Sequence, residues 1–202
     1  VYGIGRAEFM SVFAVPNVGK TAFMLTLCAS PGGFAEQGLK VLYLVNEEAS
    51  QRTKLRAIMS YTGMSSDDIE LDKRTAVEKY DKIDGNLKFL DIHEHSMEDL
   101  DYILSIVPCD VVVIDQLDKV NIKGTFGAGH ERLRELYRQF REFAKRNNCA
   151  VIGMSQASNE ARGKTKITPF EMEGSKIGKM AELDLCIGIG ALESGDVVDS
   201  EP

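Results

Sequence analysis

Short apolar runs alternate with longer amphipathic ones along the chain, the pattern that a parallel sheet flanked by helices imposes on a sequence. Runs at Glu8 to Ala14, Leu39 to Val45, Leu87 to Ile92, Cys109 to Asp115, Cys149 to Ser155 and Leu183 to Ile189 predict strands. In the fourth, Val111, Val112, Val113 and Ile114 are continuously apolar rather than alternating, so both faces need cover and the strand belongs at the sheet centre. Helical spacing predicts helices from Gly19 to about Ala29, Ser50 to Thr62, Ser96 to Val107 and His130 to Asn147. Ser96 with Asp99 three residues later resembles a capping box with Asp in place of Glu or Gln. Ser65 to Lys82 also reads as helix, on a weaker periodicity. Lys119 to Gly129, with its glycines, and Ala157 to Gly174, rich in Arg, Lys and Gly, read as loops. No repeat, low-complexity tract or linker divides the chain. The expected fold class is α/β, a mostly parallel central sheet with helices on both faces.

Composition narrows the function classes. A chain of 202 residues, 44% hydrophobic, can bury about two-thirds of its unfolded surface in one core. Its net charge of -7 and pI of about 5.1 exclude a uniformly basic nucleic-acid coat, so any such contact must be local. Cys28, Cys109, Cys149 and Cys186 lie far apart in apolar runs, with no CxxC pair, which predicts reduced, buried thiols in a cytosolic-type protein. The sequence has no apolar run of membrane-spanning length and no charged-then-apolar leader, so a soluble, cytoplasmic protein is expected. Val1 in place of Met and an acidic tail from Glu193 to Pro202 suggest a piece of a longer protein.

The strongest chemical signal is Ala14-Val15-Pro16-Asn17-Val18-Gly19-Lys20-Thr21, which follows an apolar strand and opens an apolar helix. In that context a phosphate loop cradles the β- and γ-phosphates on backbone N–H groups and a helix N-terminus. Pro16, Asn17, Val18, Gly19, Lys20, Thr21 and Ala22 form the candidate nucleotide-binding segment, with Lys20 neutralising phosphate charge and Thr21 placing its hydroxyl on Mg²⁺. Ala14 departs from the general pattern, which has Gly there. A phosphate loop also needs a carboxylate at the end of another central strand, and Asp115 stands there as the candidate metal-supporting group. Asn46-Glu47-Glu48 ends the second strand, and Glu47 is the favoured catalytic carboxylate, with Glu48 its competitor. Gln156 ends the fifth strand, where a neutral amide can sense the γ-phosphate.

Taken together, these pieces resemble the ATPase domain of DnaB-type hexameric replicative helicases, in particular the phage-type branch that includes primase-helicases. The resemblance rests on Ala-x-Pro-Asn-x-Gly-Lys-Thr at Ala14 to Thr21, Tyr-Leu-Val-Asn-Glu-Glu at Tyr43 to Glu48, Val-Ile-Asp at Val113 to Asp115 and Met-Ser-Gln at Met154 to Gln156. Glu173-Gly174-Ser175-Lys176, followed by Ala181-Glu182-Leu183-Asp184, is similar to the family's Gly-Ser segment before its next strand. Ala14 is ordinary in that family. The resemblance implies a RecA-like P-loop fold over about Gly5 to Gly190, ATP and Mg²⁺ as ligands, and Lys20, Glu47 and Gln156 as catalytic residues. It further implies a homo-hexameric ring with ATP sites between neighbours, single-stranded DNA in the central channel, 5′-to-3′ unwinding, and a primase domain or partner. The family's arginine finger and nearby lysine lie beyond the strand that here ends near Gly190, and no Lys-x-Arg stretch follows before Pro202, so a weak ATPase is expected of this chain alone.

In a ring of this type the loops after the fourth and fifth strands face the channel, which makes Lys119, Lys123, Arg162, Lys164 and Lys166 the candidate DNA contacts. His93-Glu94-His95 does not make a metal site, since neighbours on a strand point to opposite faces and no third ligand is indicated. Arg132, Arg134, Arg138, Arg141, Lys145 and Arg146 accompany an apolar face of Leu133, Leu136, Tyr137, Phe140 and Phe143, the signature of a surface helix packed on a sheet. A RecA- or KaiC-type recombinase or regulatory ATPase shares the same phosphate loop, Glu and Asp. A P-loop kinase needs a basic lid and an acceptor pocket, for which the sequence has no signal, and a non-hydrolysing ATP-dependent scaffold is the third alternative.

Overall fold

The computed structural model describes residues 3–127, 129–174 and 176–192. Val1, Ser175 and the tail at 193–202 lie outside the described residues. The chain runs β1 (Phe9–Ala14), α1 (Lys20–Ala29), β2 (Val41–Val45), α2 (Ser50–Thr62), α3 (Ser66–Leu71), α4 (Lys73–Asp84), β3 (Leu87–Asp91), α5 (Met97–Ile106), β4 (Val111–Ile114), α6 (Gly129–Asn147), β5 (Ala150–Gln156), α7 (Lys176–Met180) and β6 (Leu185–Gly188). The strands form one sheet in the order β3-β2-β4-β5-β1-β6, and every pairing is parallel.

Continuous apolar runs are what a parallel sheet covered on both faces requires. β1, β2 and β4 are buried at every position, and β4 is interior as its Val-Val-Val-Ile run demands. One face packs Met24, Leu25 and Cys28 of α1, Ala57 of α2 and Tyr80 and Ile83 of α4 against Val12, Tyr43 and Val113. The other packs Leu100 of α5 and Leu136, Tyr137, Phe140 and Phe143 of α6 against Phe13, Leu44 and Ile114.

The Ser96 capping box forms, with Ser96 Oγ accepting from the Asp99 amide and the Asp99 carboxylate accepting from the Ser96 amide. Ser65 to Lys82, read as one helix, is two. Asp72 caps α4 by accepting from the Thr75 amide, and this Asx-type bond ends α3 one residue earlier. The thiols also depart from expectation in part: all four are free, but only Cys28 and Cys149 are buried while Cys109 and Cys186 are half-buried. Burial still pushes each thiol up, Cys28 and Cys109 to about 12 and Cys149 and Cys186 to about 11, which keeps them protonated and unreactive. Among the described residues no helix is long and apolar enough to cross a membrane.

Candidate nucleotide-binding site

β1 delivers the phosphate loop to the carboxyl edge of the sheet, where β2, β4 and β5 also end. Ala14 is the last residue of β1, fully buried and paired in register with Gln156 of β5. Its backbone remains that of a strand, so the methyl carries no conformational penalty where the general motif has glycine. Gly19 is different. It enters α1 with φ of 95° and ψ of 22°, a left-handed conformation open to glycine and disfavoured for any residue with a Cβ. No side chain caps α1, which leaves its first-turn amides available to an anion.

Lys20 is buried, and its Nζ donates to Ala14 O at 3.2 Å. The same carbonyl accepts the Ala157 amide at 2.9 Å. Burial lowers the Lys20 ammonium pKa, against the opposing pull of Asp115 and then Glu47. Thr21 Oγ1 donates to Asp115 Oδ2 at 3.3 Å. Asp115 follows β4 and is 2% exposed; burial, then the charge of Glu47, pushes its carboxyl up to about 6, while the Thr21 bond and Lys20 oppose the shift. A hydroxyl and a carboxylate are hard oxygen donors, the set that holds Mg²⁺ together with substrate phosphates, so these residues fit that ion. No cage of three or more His, Cys, Asp or Glu side chains exists among the described residues.

These groups line a cleft of about 450 Å³. Pro16, Asn17, Gly19, Lys20, Thr21 and Ala22 supply one wall, and Glu47, Glu48, Arg56, Asp115, Gln116 and Gln156 supply the rest. Of the predicted phosphate-loop segment, Val18 alone is not on the lining. The two carboxylates after β2 are not equivalent. Glu48 Oε1 accepts from Arg56 Nη1 at 2.9 Å and from Thr53 Oγ1 at 3.2 Å, both on α2. Glu47 is exposed and makes no hydrogen bond among the described residues. Arg56 was not visible as a site residue in the sequence; it stands on α2 eight positions after Glu48, a helical spacing that could have drawn attention to it.

Gln116 and Gln156 also line a second cavity, of about 510 Å³, so these two amides stand between the cleft and its neighbour. Gln116 adopts φ of 57° and ψ of 60° and leads into a 3-10 turn at Leu117–Lys119. On the wall of that cavity Asp118 and Ser155 meet Lys179 of α7, a lysine 0% exposed. Nothing in the sequence marks this cluster, because an interior lysine runs against the usual rule.

The candidate DNA residues fall on two loops. Lys119, Lys123, Arg162, Lys164 and Lys166 are all exposed. Lys123 pairs with Glu98 at 3.1 Å and Lys164 with Glu171 at 2.5 Å. The loop after β5 is closed by an Ala157–Met172 bridge and carries short 3-10 turns at Asn159–Ala161 and Pro169–Glu171, so it has more local structure than its composition predicts. It also lies against the end of β6 and the residues after it: a Cβ on Gly188 would sit 2.7 Å from Ile167 Cγ1, and one on Gly190 2.3 Å from Lys164 O. The loop after β4 is tied to the turn before α5 by a Ser96–Asn121 bridge. His93, Glu94 and His95 belong to that turn, where Asn121 Nδ2 donates to Glu94 O, and they form no metal site. On α6, Arg132 donates to the Asp118 and Val120 carbonyls, Arg138 pairs with Glu135, Arg141 with Asp184, Lys145 with Glu142 and Arg146 with Asp101. Arg132, Arg141 and Arg146 tie the helix to its surroundings while Arg138 and Lys145 pair within it, as expected for a packed surface helix.

A family model described as an AAA domain matches residues 2–162. No curated protein matches the chain. Among solved structures, a DnaB-like replicative helicase, described with its interactions with primase, superposes with a TM-score of 0.75 at 18% identity, over 92% of this chain and 47% of that one. A structure of an ATPase domain superposes with a TM-score of 0.72 at 19% identity, over 93% of this chain and 70% of that one. At such identities the likeness is one of fold, and the chain spans under half the length of the first of these structures.

Proposed function

The chain belongs to the AAA domain family, and we propose that it is the ATPase motor domain of a DnaB-like replicative helicase, hydrolysing ATP to translocate on single-stranded DNA. The observation that carries this reading is the meeting of Lys20, Thr21 and Asp115 in one cleft at the carboxyl edge of a parallel sheet, with Thr21 Oγ1 and Asp115 Oδ2 3.3 Å apart. The helicase-like fold, with a carboxylate and an amide at the ends of β2 and β5, supports the motor in preference to a recombinase or kinase.

In this reading the triphosphate lies on the amides of Asn17 to Ala22, and Lys20 exchanges its bond to Ala14 O for phosphate oxygen. Thr21 and Asp115 would hold Mg²⁺, which when bound offsets the charge on the β- and γ-phosphates. Glu47, whose carboxylate is not engaged by α2, accepts a proton from water as that water attacks the γ-phosphorus, and ADP and phosphate result. Glu48 and Arg56 form a paired wall beside it. Gln156 reads the γ-phosphate and transmits its loss to the loop that begins at Ala157, where Arg162, Lys164 and Lys166, with Lys119 and Lys123 of the neighbouring loop, contact DNA phosphates. A six-membered ring in the cytoplasm of a bacterium or an infected host, an arginine finger from the adjacent subunit, 5′-to-3′ movement and a primase partner complete the proposal.

The test is steady-state ATP hydrolysis by the chain and by Lys20→Ala and Glu47→Gln, followed by unwinding of a duplex with a 5′ tail. Lys20→Ala is expected to abolish binding of ATP, whereas Glu47→Gln is expected to bind it and lose turnover by roughly 10²-fold or more. Undiminished hydrolysis by Lys20→Ala would overturn the reading; a 3′-tail requirement would overturn the direction alone.

A further inference from the structure

We propose that Lys179 is a positioning residue of the nucleotide site, acting through Asp118 and Ser155 to hold the two amides, Gln116 and Gln156, that separate the cleft from the second cavity. The inference rests on the hydrolytic reading above and adds to it a residue that touches no substrate.

Lys179 has all three of its donors engaged. Its Nζ meets Asp118 Oδ1 and Oδ2 at 3.0 Å each and Ser155 Oγ at 3.2 Å, and it stands 4.9 Å from the centre of the Tyr137 ring. Ser155 Oγ donates to Asp118 Oδ2 at 2.6 Å, which closes the cluster. An ion pair whose ammonium is fully buried and whose carboxylate is half-buried, at 23% exposure, is a poor device for stability alone, because desolvation offsets much of the attraction and apolar residues of similar volume commonly serve as well. What such a pair does supply is a fixed geometry.

The geometry it fixes is that of the site. Ser155 immediately precedes Gln156, and Asp118 follows Gln116 by two residues, so Lys179 bridges the carboxyl ends of the adjacent strands β4 and β5. Gln116 is held in the left-handed region, a conformation strained for a residue with a Cβ that persists only where the surroundings enforce it. Three restraints act on the turn that follows. Arg132 donates to its Asp118 and Val120 carbonyls at 3.0 and 2.6 Å, Leu117 packs over Gly153 where a Cβ would come within 2.3 Å, and Lys179 grips the Asp118 side chain. The phosphate loop hangs from β1 and shares none of these restraints. Loss of Lys179 therefore displaces the amide wall and leaves the binding loop in place.

The experiment compares ATP turnover, KM and fluorescent-nucleotide affinity, together with Tm, in the full chain and its Lys179→Met and Lys179→Met/Asp118→Leu variants. Lys179→Met is expected to lower kcat roughly 10- to 100-fold, the scale of a misplacement of about 1 Å in a site, with KM and nucleotide affinity within about twofold of the parent. The double variant removes both the buried ammonium and its half-buried carboxylate partner and is expected to regain Tm while keeping the kcat loss. Recovery of kcat together with Tm in the double variant would make Lys179 a purely structural residue and overturn the inference, as would normal kcat in Lys179→Met. If the single variant fails to fold, the double variant decides by the same criterion. A parent chain that binds nucleotide without hydrolysing it would instead remove the hydrolytic reading, and this inference with it.

Discussion

At the scale of single residues the site is defined by charges held out of water. Asp115 has a folded pKa of about 6 against 3.8 for the free side chain, so the folded chain holds this proton more tightly than the unfolded chain does. Its contribution to stability is complete below the unfolded value and is lost as pH rises through about 6, where the carboxylate must ionise in the interior. Asp115→Asn is accordingly expected to stabilise the nucleotide-free chain at pH 7 by up to about 3 kcal/mol, measured by denaturant unfolding. A cation at Thr21 and Asp115 favours the ionised form. The gain in ATP affinity on adding Mg²⁺ is therefore expected to shrink as pH falls below 6, and in Asp115→Asn to be small at every pH. A Mg²⁺ gain that holds constant to pH 5 would contradict a role for this carboxylate beside the metal.

At the scale of elements, the basic residues of the proposed DNA-contact loops are expected to differ by position rather than by charge count. Lys164 already has Glu171 at 2.5 Å, whereas Arg162 and Lys166 are exposed without an ion pair among the described residues. Arg162→Ala and Lys166→Ala are each expected to weaken single-stranded DNA binding and to reduce its salt slope by about 1, with Lys164→Ala having the smaller effect, as read by anisotropy titrations across salt. The reason for this ordering was hidden from the sequence, since Glu171 reaches Lys164 only because the loop folds back on itself. Elements whose apolar pattern is set by burial were legible: the interior β4 from Val111 to Ile114, α6 from its Leu133 to Phe143 face, and the strand-to-helix turn at Lys20 and Thr21. So was the edge at which Asp115, Glu47 and Gln156 gather, because parallel strands share one carboxyl end. The break at Asp72 was not, being decided by a local side-chain bond instead of periodicity. Nor was the Lys179 cluster, in which Ser155 and Asp118 stand 24 and 61 positions from the lysine along the chain.

At the scale of the whole molecule, the described part of the cleft brings together two basic side chains, Lys20 and Arg56, and Arg56 is committed to Glu48. If the remaining positive charge comes from a neighbouring subunit, turnover per chain is expected to rise with protein concentration as subunits associate, by as much as roughly 10³-fold at saturation. Rates per chain that stay flat across the association range would show that each site is complete by itself. Within one chain, the carbonyl of Ala14 ties the two ends of the proposed motor together, since it accepts a hydrogen bond from the Lys20 ammonium on one side and from the Ala157 amide on the other. When a phosphate draws the ammonium away, that oxygen has a single donor left and grips it harder. The peptide hydrogen of Ala157 is therefore expected to report occupancy, moving downfield in an NMR titration with ATP and staying still in Lys20→Ala, so that the root of the proposed DNA-contact loop would register a full or empty site before any larger movement begins.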